Sequence, residues 1–384
     1  MTGGGSGGHI TPLLSLAHEL KARQPDCRII YIGHKGDNFD SLDLSVRDFD
    51  FVTFINGGKF RRYHGGGFWS HLLDVKTFLL NIRDFFRVIK SIGTALRILR
   101  KFRPDVLFSK GGFVSVPVGF AAHWLGIPIV THDSDAIPGL ANRIVGRWAK
   151  IHATGMPEEF YKYPKNSIRY VGIPLNPIIK KVTPKIQADF KKRLKLPLNS
   201  QVLLLSGGGN GSVRLNQLMV AIAPNLLESN LALYIIHVSG AKHQAAVKAA
   251  YRQSLPANEQ KRVMTVGFSP DFYMYSGAAD LVITRGGATT LAELAVAGKA
   301  CIIIPSPFLT GGHQLKNAED LTNQNAAVVA PENIEPDELL VIVAELLNND
   351  HRRFELAKNL YATAKPDAAA KLAELILQVA NREV

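Results

Sequence analysis

Short and almost wholly apolar runs alternate along the chain with longer stretches whose apolar residues recur every three or four positions. The runs are CRIIYIG (27–33), DVLFSKG (105–111), IPIVTH (127–132), QVLLLSG (201–207), LYIIHVSG (233–240), DLVITRG (280–286) and CIIIPSP (301–307). They lack the polar alternation of a sheet with one wet face, which predicts parallel strands covered on both sides. The intervening stretches read as helices. In ITPLLSLAHELKARQ, for example, Leu13, Leu14, Leu16, Ala17 and Leu20 fall at helical spacing. Strands alternating with helices place the chain in the α/β class.

Two glycine clusters interrupt this pattern at matching points. The chain opens MTGGGSGGHI, which reads either as a cloning spacer or as a loop whose amides close on an anion at a helix start. The amphipathic stretch that follows favours the loop, with Pro12 expected in the first helical turn. Only Met1 and Thr2 precede Gly3, so the strand that normally aims such a loop is expected to be missing, as from a late start of the numbering. About two hundred residues on, SGGGNGSVRLNQLMVAIAP (206–224) repeats the plan after a clean apolar run, with Leu215, Leu218 and Ile222 on one helix face. Two such halves predict two Rossmann-like domains facing a cleft. Proline-rich IPLNPIIKKVTP marks the break near Pro174–Pro184. The expected division is residues 1–175, residues 176–365, and a tail of 366–384 whose amphipathic helix, from about Ala368, packs back on the first domain.

Composition narrows the class without changing it. With 384 residues, 46% of them hydrophobic, the chain can fill two ordinary cores. No uncharged apolar run reaches the eighteen residues of a membrane-spanning helix, and no signal peptide is visible. Cys27 and Cys301 each lie beside a strand-like run and read as free thiols of a reducing compartment. The net charge of +13 is uneven: between Lys59 and Arg103 eleven Lys or Arg face only Asp74 and Asp84. In FWSHLLDVKTFLLNIRDFFRVIKSIGTALRILRKFR (68–103) these cations mix with Phe, Leu and Ile at helical spacing, as in helices that lie in an anionic membrane surface. Candidates for that contact are Phe68, Trp69, Leu72, Leu73 and Leu80 with Lys76, Arg83 and Arg87, the exposed portion being expected around 65–82. Plain core is the alternative; nucleic acid is disfavoured by the aliphatic density and the lack of a recognisable module.

Seven ordered segments resemble the MurG glycosyltransferase family: GGSGGH (4–9), GGFVSVP (111–117), HDSDAIPGLANR (132–143), VGIPLN (171–176), GGGNGS (207–212), RGGATTLAELAVAG (285–298) and GGHQLKNA (311–318). That family attaches N-acetylglucosamine to a lipid-linked muramyl-peptide precursor of the bacterial cell wall. The resemblance implies a fold of the GT-B type, with the sugar nucleotide in the C-terminal domain and the acceptor in the N-terminal one. It also implies a peripheral position on the cytoplasmic side of the cell membrane, with other cell-wall enzymes as possible partners.

On the donor side it points to the diphosphate turn Gly207, Gly208, Gly209, Asn210 and Gly211, and to Gly286, Gly287, Ala288 and Thr289. Backbone near Phe268 and Ser269 would meet uracil, and His313 and Gln314 the sugar, with Asn317 a weaker polar candidate. Glu293 takes the ribose position, where a carboxylate accepts from both hydroxyls. Thr290-x-x-Glu293 is also a capping-box spacing, so a cap is the rival role. On the acceptor side the resemblance implies a diphosphate cradle from Gly4, Gly5, Ser6, Gly7, Gly8, Gly111 and Gly112 with Asp135 nearby, and His9 or Asp133 as general base. Single displacement with inversion would follow, with no cofactor and no metal; no clustered His/Cys set with persuasive ligand spacing is present.

Several positions depart from the family pattern. His313 stands for a glutamine, Asp133 for a glutamate, Asp135 for an asparagine, Phe113 for a tyrosine and Asn176 for an arginine. Asp135 puts a carboxylate beside a diphosphate and calls for a compensating cation, with Arg143 or His132 as candidates. Two other functions stay open on these grounds: a UDP-sugar:diacylglycerol glycosyltransferase, and a non-catalytic nucleotide-sugar-binding membrane subunit.

Overall fold

The computed structural model describes residues 1–4, 7–35, 48–58, 75–308 and 310–383, without the side chains of 7–10, 75–81 and 310. The chain divides into two compact units, residues 1–176 with 367–384, and residues 177–366.

In unit 1, β1 (Ile30–His34) pairs in parallel with β2 (Phe51–Ile55), and β3 (Leu107–Ser109), β4 (Ile129–Asp133), β5 (Ala149–Thr154) and β6 (Ile168–Tyr170) form a parallel run in that order. The first two residues occupy the place between β1 and β3. Thr2 bridges Ile32 on one side and Ser109 on the other, and its backbone N–H and C=O bond Phe108 and Lys110. A residue paired on both sides aims the first glycine loop as a strand would, so the expected gap in the sheet is filled by Met1 and Thr2.

Among the described residues, α1 (Gly7–Arg23), α2 (Val75–Phe102), α3 (Ser115–Trp124) and α4 (Leu140–Val145) accompany this sheet. Successive strand residues feed opposite faces, as the period of two demands. Tyr31, Phe108 and Val130 enter one core with α1, whereas Ile32, Leu107 and Ile129 enter the other with α2 and α3. The first helix starts earlier than the sequence suggests. With Gly7 as its first residue, Pro12 lies in the helix interior, where it removes the backbone bond to Gly8.

Unit 2 carries β7 (Gln201–Ser206), β8 (Leu233–Val238), β9 (Val263–Val266), β10 (Leu281–Thr284), β11 (Cys301–Ile303) and β12 (Val328–Val329), all parallel, in the order β12-β11-β10-β7-β8-β9. Its helices are α5 (Pro184–Arg193), α6 (Val213–Ser229), α7 (Gln244–Ser254), α8 (Ala257–Gln260), α9 (Phe272–Ala278), α10 (Ala288–Ala297), α11 (His313–Asn323), α12 (Pro336–Asn348) and α13 (Asp350–Ala362). Leu203, Leu205, Leu281 and Ile283 fill one face of the sheet, and Val202, Leu204, Val282 and Ile303 the other. The order turns at β7: β8 lies on one side of it and β10 on the other. In open α/β sheets the crevice at the carboxyl ends of two such strands receives ligands.

The last helix, α14 (Ala368–Ala380), returns to unit 1. Leu372, Ala373, Ile376 and Val379 join the core built by Leu13, Leu16, Ala17 and Leu20 of α1. Both cysteines are free thiols, Cys301 buried and Cys27 half-buried.

Candidate functional site

In unit 2 the glycine turn 207–211 connects β7 to α6 at the point where the strand order reverses. Gly208 and Gly211 adopt φ values of 84° and 74°, which L side chains rarely reach. A Cβ on Gly211 would lie 2.1 Å from the Ser239 carbonyl oxygen. At Gly211 the turn is therefore packed against the end of β8 with no room for a side chain, while Gly209 and Asn210 stay exposed. Ser212 caps α6 by accepting from the Leu215 amide, and it accepts a second bond from Arg285 Nη2 at 2.7 Å. Arg285 is ion-paired with Glu332 and stands at the end of β10, so it ties the two turns together.

A buried relay stiffens the back of this turn. His237 in β8 bonds Tyr251 through Nδ1 at 2.8 Å and Asn216 Oδ1 through Nε2 at 2.9 Å, while Asn216 Nδ2 donates to the Ser239 carbonyl. Burial pushes His237 down to about 3, so the imidazole is neutral, with one nitrogen donating and the other accepting.

The turn after β10 is equally tight. A Cβ on Gly286 would meet the Gln314 carbonyl oxygen at 2.6 Å. The helix α10 begins at Ala288 with Gly287 as its cap. Thr290 and Glu293 therefore lie inside the helix, and the capping-box role for Glu293 is removed. Glu293 is half-buried, has no hydrogen bond or ion pair among the described residues, and is pushed by burial up to about 7. A partly buried carboxyl without a partner is costly to keep and marks a position for a ligand's donors.

The other donor-side candidates divide. His313 opens α11 beside Gly311 and Gly312, both at φ 69°. Gln314 is buried, and its Oε1 accepts from the Ser306 amide at 2.9 Å, which leaves its NH₂ for other bonds. Asn317 is fully buried and donates to the Gly286 carbonyl, so it latches the turn. Phe268 is exposed after β9, and Ser269 accepts from the Asp271 amide.

In unit 1 the turn Gly111–Gly112 follows β3, with φ values of 93° and 82°. A Cβ on Gly112 would lie 2.4 Å from the Gly4 carbonyl oxygen, so the first loop and this turn are in contact. Gly5 and Ser6 lie outside the described residues. Gly7, Gly8 and His9 form the first turn of α1, and the His9 side chain is not described.

Asp133 ends β4 and is buried. Its carboxylate accepts from Asn142 Nδ2 at 3.0 Å and from the Tyr163 hydroxyl at 2.9 Å. Burial raises its pKa; those two donors and the charge of Lys110 pull in the opposite direction. Asn142 also donates to the His132 carbonyl and accepts from Ser109, so it links the ends of β3 and β4. His132 is fully buried, bonds the Gly172 carbonyl, and is pushed down to about 3 by burial and by Lys110. A neutral imidazole cannot offset Asp135, and Arg143 is exposed. Lys110, a buried ammonium, interacts with both aspartates.

Phe68, Trp69, Leu72 and Leu73 lie outside the described residues, and Lys76 and Leu80 are described for backbone only. Arg83 and Arg87 are half exposed and paired with the buried Asp84 at 3.3 and 3.1 Å. The portion expected to be exposed, around 65–82, lies outside the described side chains except for Ile82. Ile82, Phe85, Phe86 and Ile89 form a stripe at helical spacing in solvent, with Phe86 65% exposed. Val88, Ala95 and Leu99 bury the opposite face.

Family models match both units: the glycosyltransferase family 28 N-terminal domain over residues 1–154 and its C-terminal domain over 202–372. The chain is 30% identical over 378 residues, covering 98% of each chain, to the UDP-N-acetylglucosamine--N-acetylmuramyl-(pentapeptide) pyrophosphoryl-undecaprenol N-acetylglucosamine transferase of Natranaerobius thermophilus. The chain belongs to the MurG family. The solved structure of MurG from Acinetobacter baumannii superposes with a TM-score of 0.69 at 25% identity, covering 98% of each chain. A UDP co-structure of MnaA from S. aureus shares the fold, with a TM-score of 0.68 at 13% identity, covering 99% of this chain and 96% of that one.

In this MurG-family chain the quoted motifs gather at the carboxyl ends of the strands, 207–212 and 285–287 in unit 2, 111–112 and 132–135 in unit 1. Residues that build these sites but have no role in the sequence reading are Lys110, Asn142, Tyr163, Arg285, Asn216 and His237. Two of them left a trace: Lys110 interrupts an apolar run directly before paired glycines, and His237 is the lone imidazole in a strand otherwise apolar.

Proposed function

We propose that the chain transfers N-acetylglucosamine from its UDP ester to a muramyl peptide carried on a lipid diphosphate, acting as an inverting hexosyltransferase. The unpartnered Glu293, in the helix that follows the Gly286–Gly287 turn at the reversal of the unit 2 sheet, is the observation that carries this reading. Amides at the start of α6 suit the donor diphosphate, and they favour the charge that grows there as UDP departs. Glu293 suits the ribose hydroxyls, and the backbone near Phe268 the base. Gly4–Gly8 with Gly111 and Gly112 suit the acceptor diphosphate. An acceptor hydroxyl attacks the anomeric carbon, and its proton passes to Asp133 or His9.

The contact with the membrane belongs to the same reading. No helix among the described residues is long and apolar enough to cross a bilayer. The stripe Ile82, Phe85, Phe86 and Ile89 with Arg83, Arg87 and Lys90 beside it has the composition of a helix seated in an anionic headgroup layer.

The test is transfer of label from UDP-N-acetylglucosamine to defined acceptors. Label in a lipid-diphosphate muramyl peptide supports the proposal. Label in diacylglycerol instead, or UDP binding without transfer to either acceptor, refutes it.

A further inference from the structure

We propose that Lys110 supplies the buried countercharge that lets unit 1 take a diphosphate beside Asp133 and Asp135. The inference rests on the acceptor role given to unit 1 above. Lys110 follows β3 and leads into the turn Gly111–Gly112, with its backbone amide bonded to the Thr2 carbonyl. A Cβ on Gly3 would lie 2.9 Å from the Lys110 Cβ, so the first glycine loop covers the lysine stem. The stem leads inward, and Nζ donates to Ser134 Oγ at 2.8 Å, between the two aspartates in sequence.

The groups tied to this ammonium, His132, Asp133, Ser134 and Asp135, stand at the end of β4. Asn142 of α4 and Tyr163 of the segment after β5 bond Asp133 in turn, with Arg143 and Tyr161 on the same two segments. His132 is neutral, Arg143 is exposed, and the Tyr161 hydroxyl is bonded to the Asp135 carbonyl. The Lys110 charge acts on both aspartates. Burial brings it down to about 8, which leaves it mostly charged at neutral pH. Without it, an incoming diphosphate would meet two carboxylates in a poorly solvated turn, where like charges are expensive.

The experiment compares wild type, Lys110→Met and the double variant Lys110→Met/Asp135→Asn. Steady-state transfer is followed to a diphosphate-linked muramyl peptide with a short prenyl chain. Removing the countercharge is expected to raise the acceptor KM by at least about ten-fold, while the KM for UDP-N-acetylglucosamine stays within about two-fold, because the donor features lie in unit 2. The double variant, which loses one charge of each sign, is expected to recover most of the acceptor KM. A lysine that merely filled space would leave the double variant as impaired as the single one, and that result overturns the inference. An unchanged acceptor KM in Lys110→Met overturns it as well. Should Lys110→Met fail to fold, Asp135→Asn alone decides: its acceptor KM is expected to fall, and a rise overturns the inference. Wild type that transfers no sugar to this acceptor would instead sink the functional reading on which the inference rests.

Discussion

Replacing Glu293 by glutamine is expected to stabilise the protein while disabling it. The carboxyl is half-buried, unpaired among the described residues, and pushed by burial from its ordinary 4.5 up to about 7. An acid whose proton affinity is higher folded than unfolded stabilises nothing at high pH; it costs stability as soon as the unfolded chain ionises. The cost is absent below about pH 4.5, grows between 4.5 and 7, and is complete above 7. Each pH unit in that interval is worth about 1.4 kcal/mol, so the full cost is on the order of 3 kcal/mol. Glu293→Gln removes it at pH 8 and leaves little to remove at pH 5, where the cost is about 1 kcal/mol or less.

A buried amide brings its own unsatisfied donors, but that penalty is the same at both pH values. The difference between them is thus the clean observable, about 2 kcal/mol in favour of the variant at pH 8. Urea unfolding followed by circular dichroism reports it. Trp69, Trp124 and Trp148 all fall within unit 1, so tryptophan fluorescence identifies the unit 1 transition and lets that of unit 2 be separated. The same variant is expected to bind UDP about ten- to a hundred-fold more weakly, since the ribose hydroxyls lose a charged acceptor. Parallel stability–pH curves for the two proteins would refute the buried-carboxyl argument. Unchanged UDP affinity in calorimetry would refute the ribose role.

Three further outcomes follow from the same geometry. Gly211→Ala places a methyl group 2.1 Å from the Ser239 carbonyl at a φ of 74°; UDP affinity is expected to drop at least about ten-fold, with strain of about 1–3 kcal/mol visible as a lower urea midpoint, and a normal dissociation constant would contradict the packed turn. Ser212→Ala loses the α6 cap and the Arg285 bond, and is expected to cost about 1–2 kcal/mol of unit 2 stability, read in the same unfolding experiment. Phe85→Glu with Phe86→Glu changes two exposed rings on α2; flotation with anionic vesicles is expected to fall while turnover of a short-chain acceptor is kept, and equal flotation of variant and wild type would exclude that stripe as the membrane contact.

The parts of the fold legible in the sequence are those whose cause is local. Runs such as QVLLLSG are strands because Val202–Ser206 are buried on one face or the other, and Gly208, Gly211, Gly111 and Gly112 mark turns because their backbone angles disfavour side chains. AKIHAT (149–154) was hidden: Lys150, His152 and Thr154 make it look polar, although His152 and Thr154 are buried against Tyr163 and the Arg169 carbonyl. The edge strands β6 and β9 are short and only partly covered, so they lack a strong apolar run. At the site, the glycines and Glu293 stood out, whereas the Lys110–Ser134, Asn142–Ser109 and Tyr163–Asp133 contacts join residues 24 to 33 positions apart. No short-range spacing encodes such pairs. The rival role for Glu293 falls for a related reason: Thr290–Glu293 has capping-box spacing, but the helix begins ahead of it at Ala288.

The return of α14 to unit 1 has a bearing on how the protein is made. A ribosome releases residues 1–176 long before 367–384, yet the apolar side of α1 is closed by Leu372, Ala373, Ile376 and Val379. Unit 2 emerges whole in the interval and is free to fold first, while the earlier-born unit waits with a greasy seam open. Until residues 367–384 emerge, that seam is open to chaperones and to misassembly.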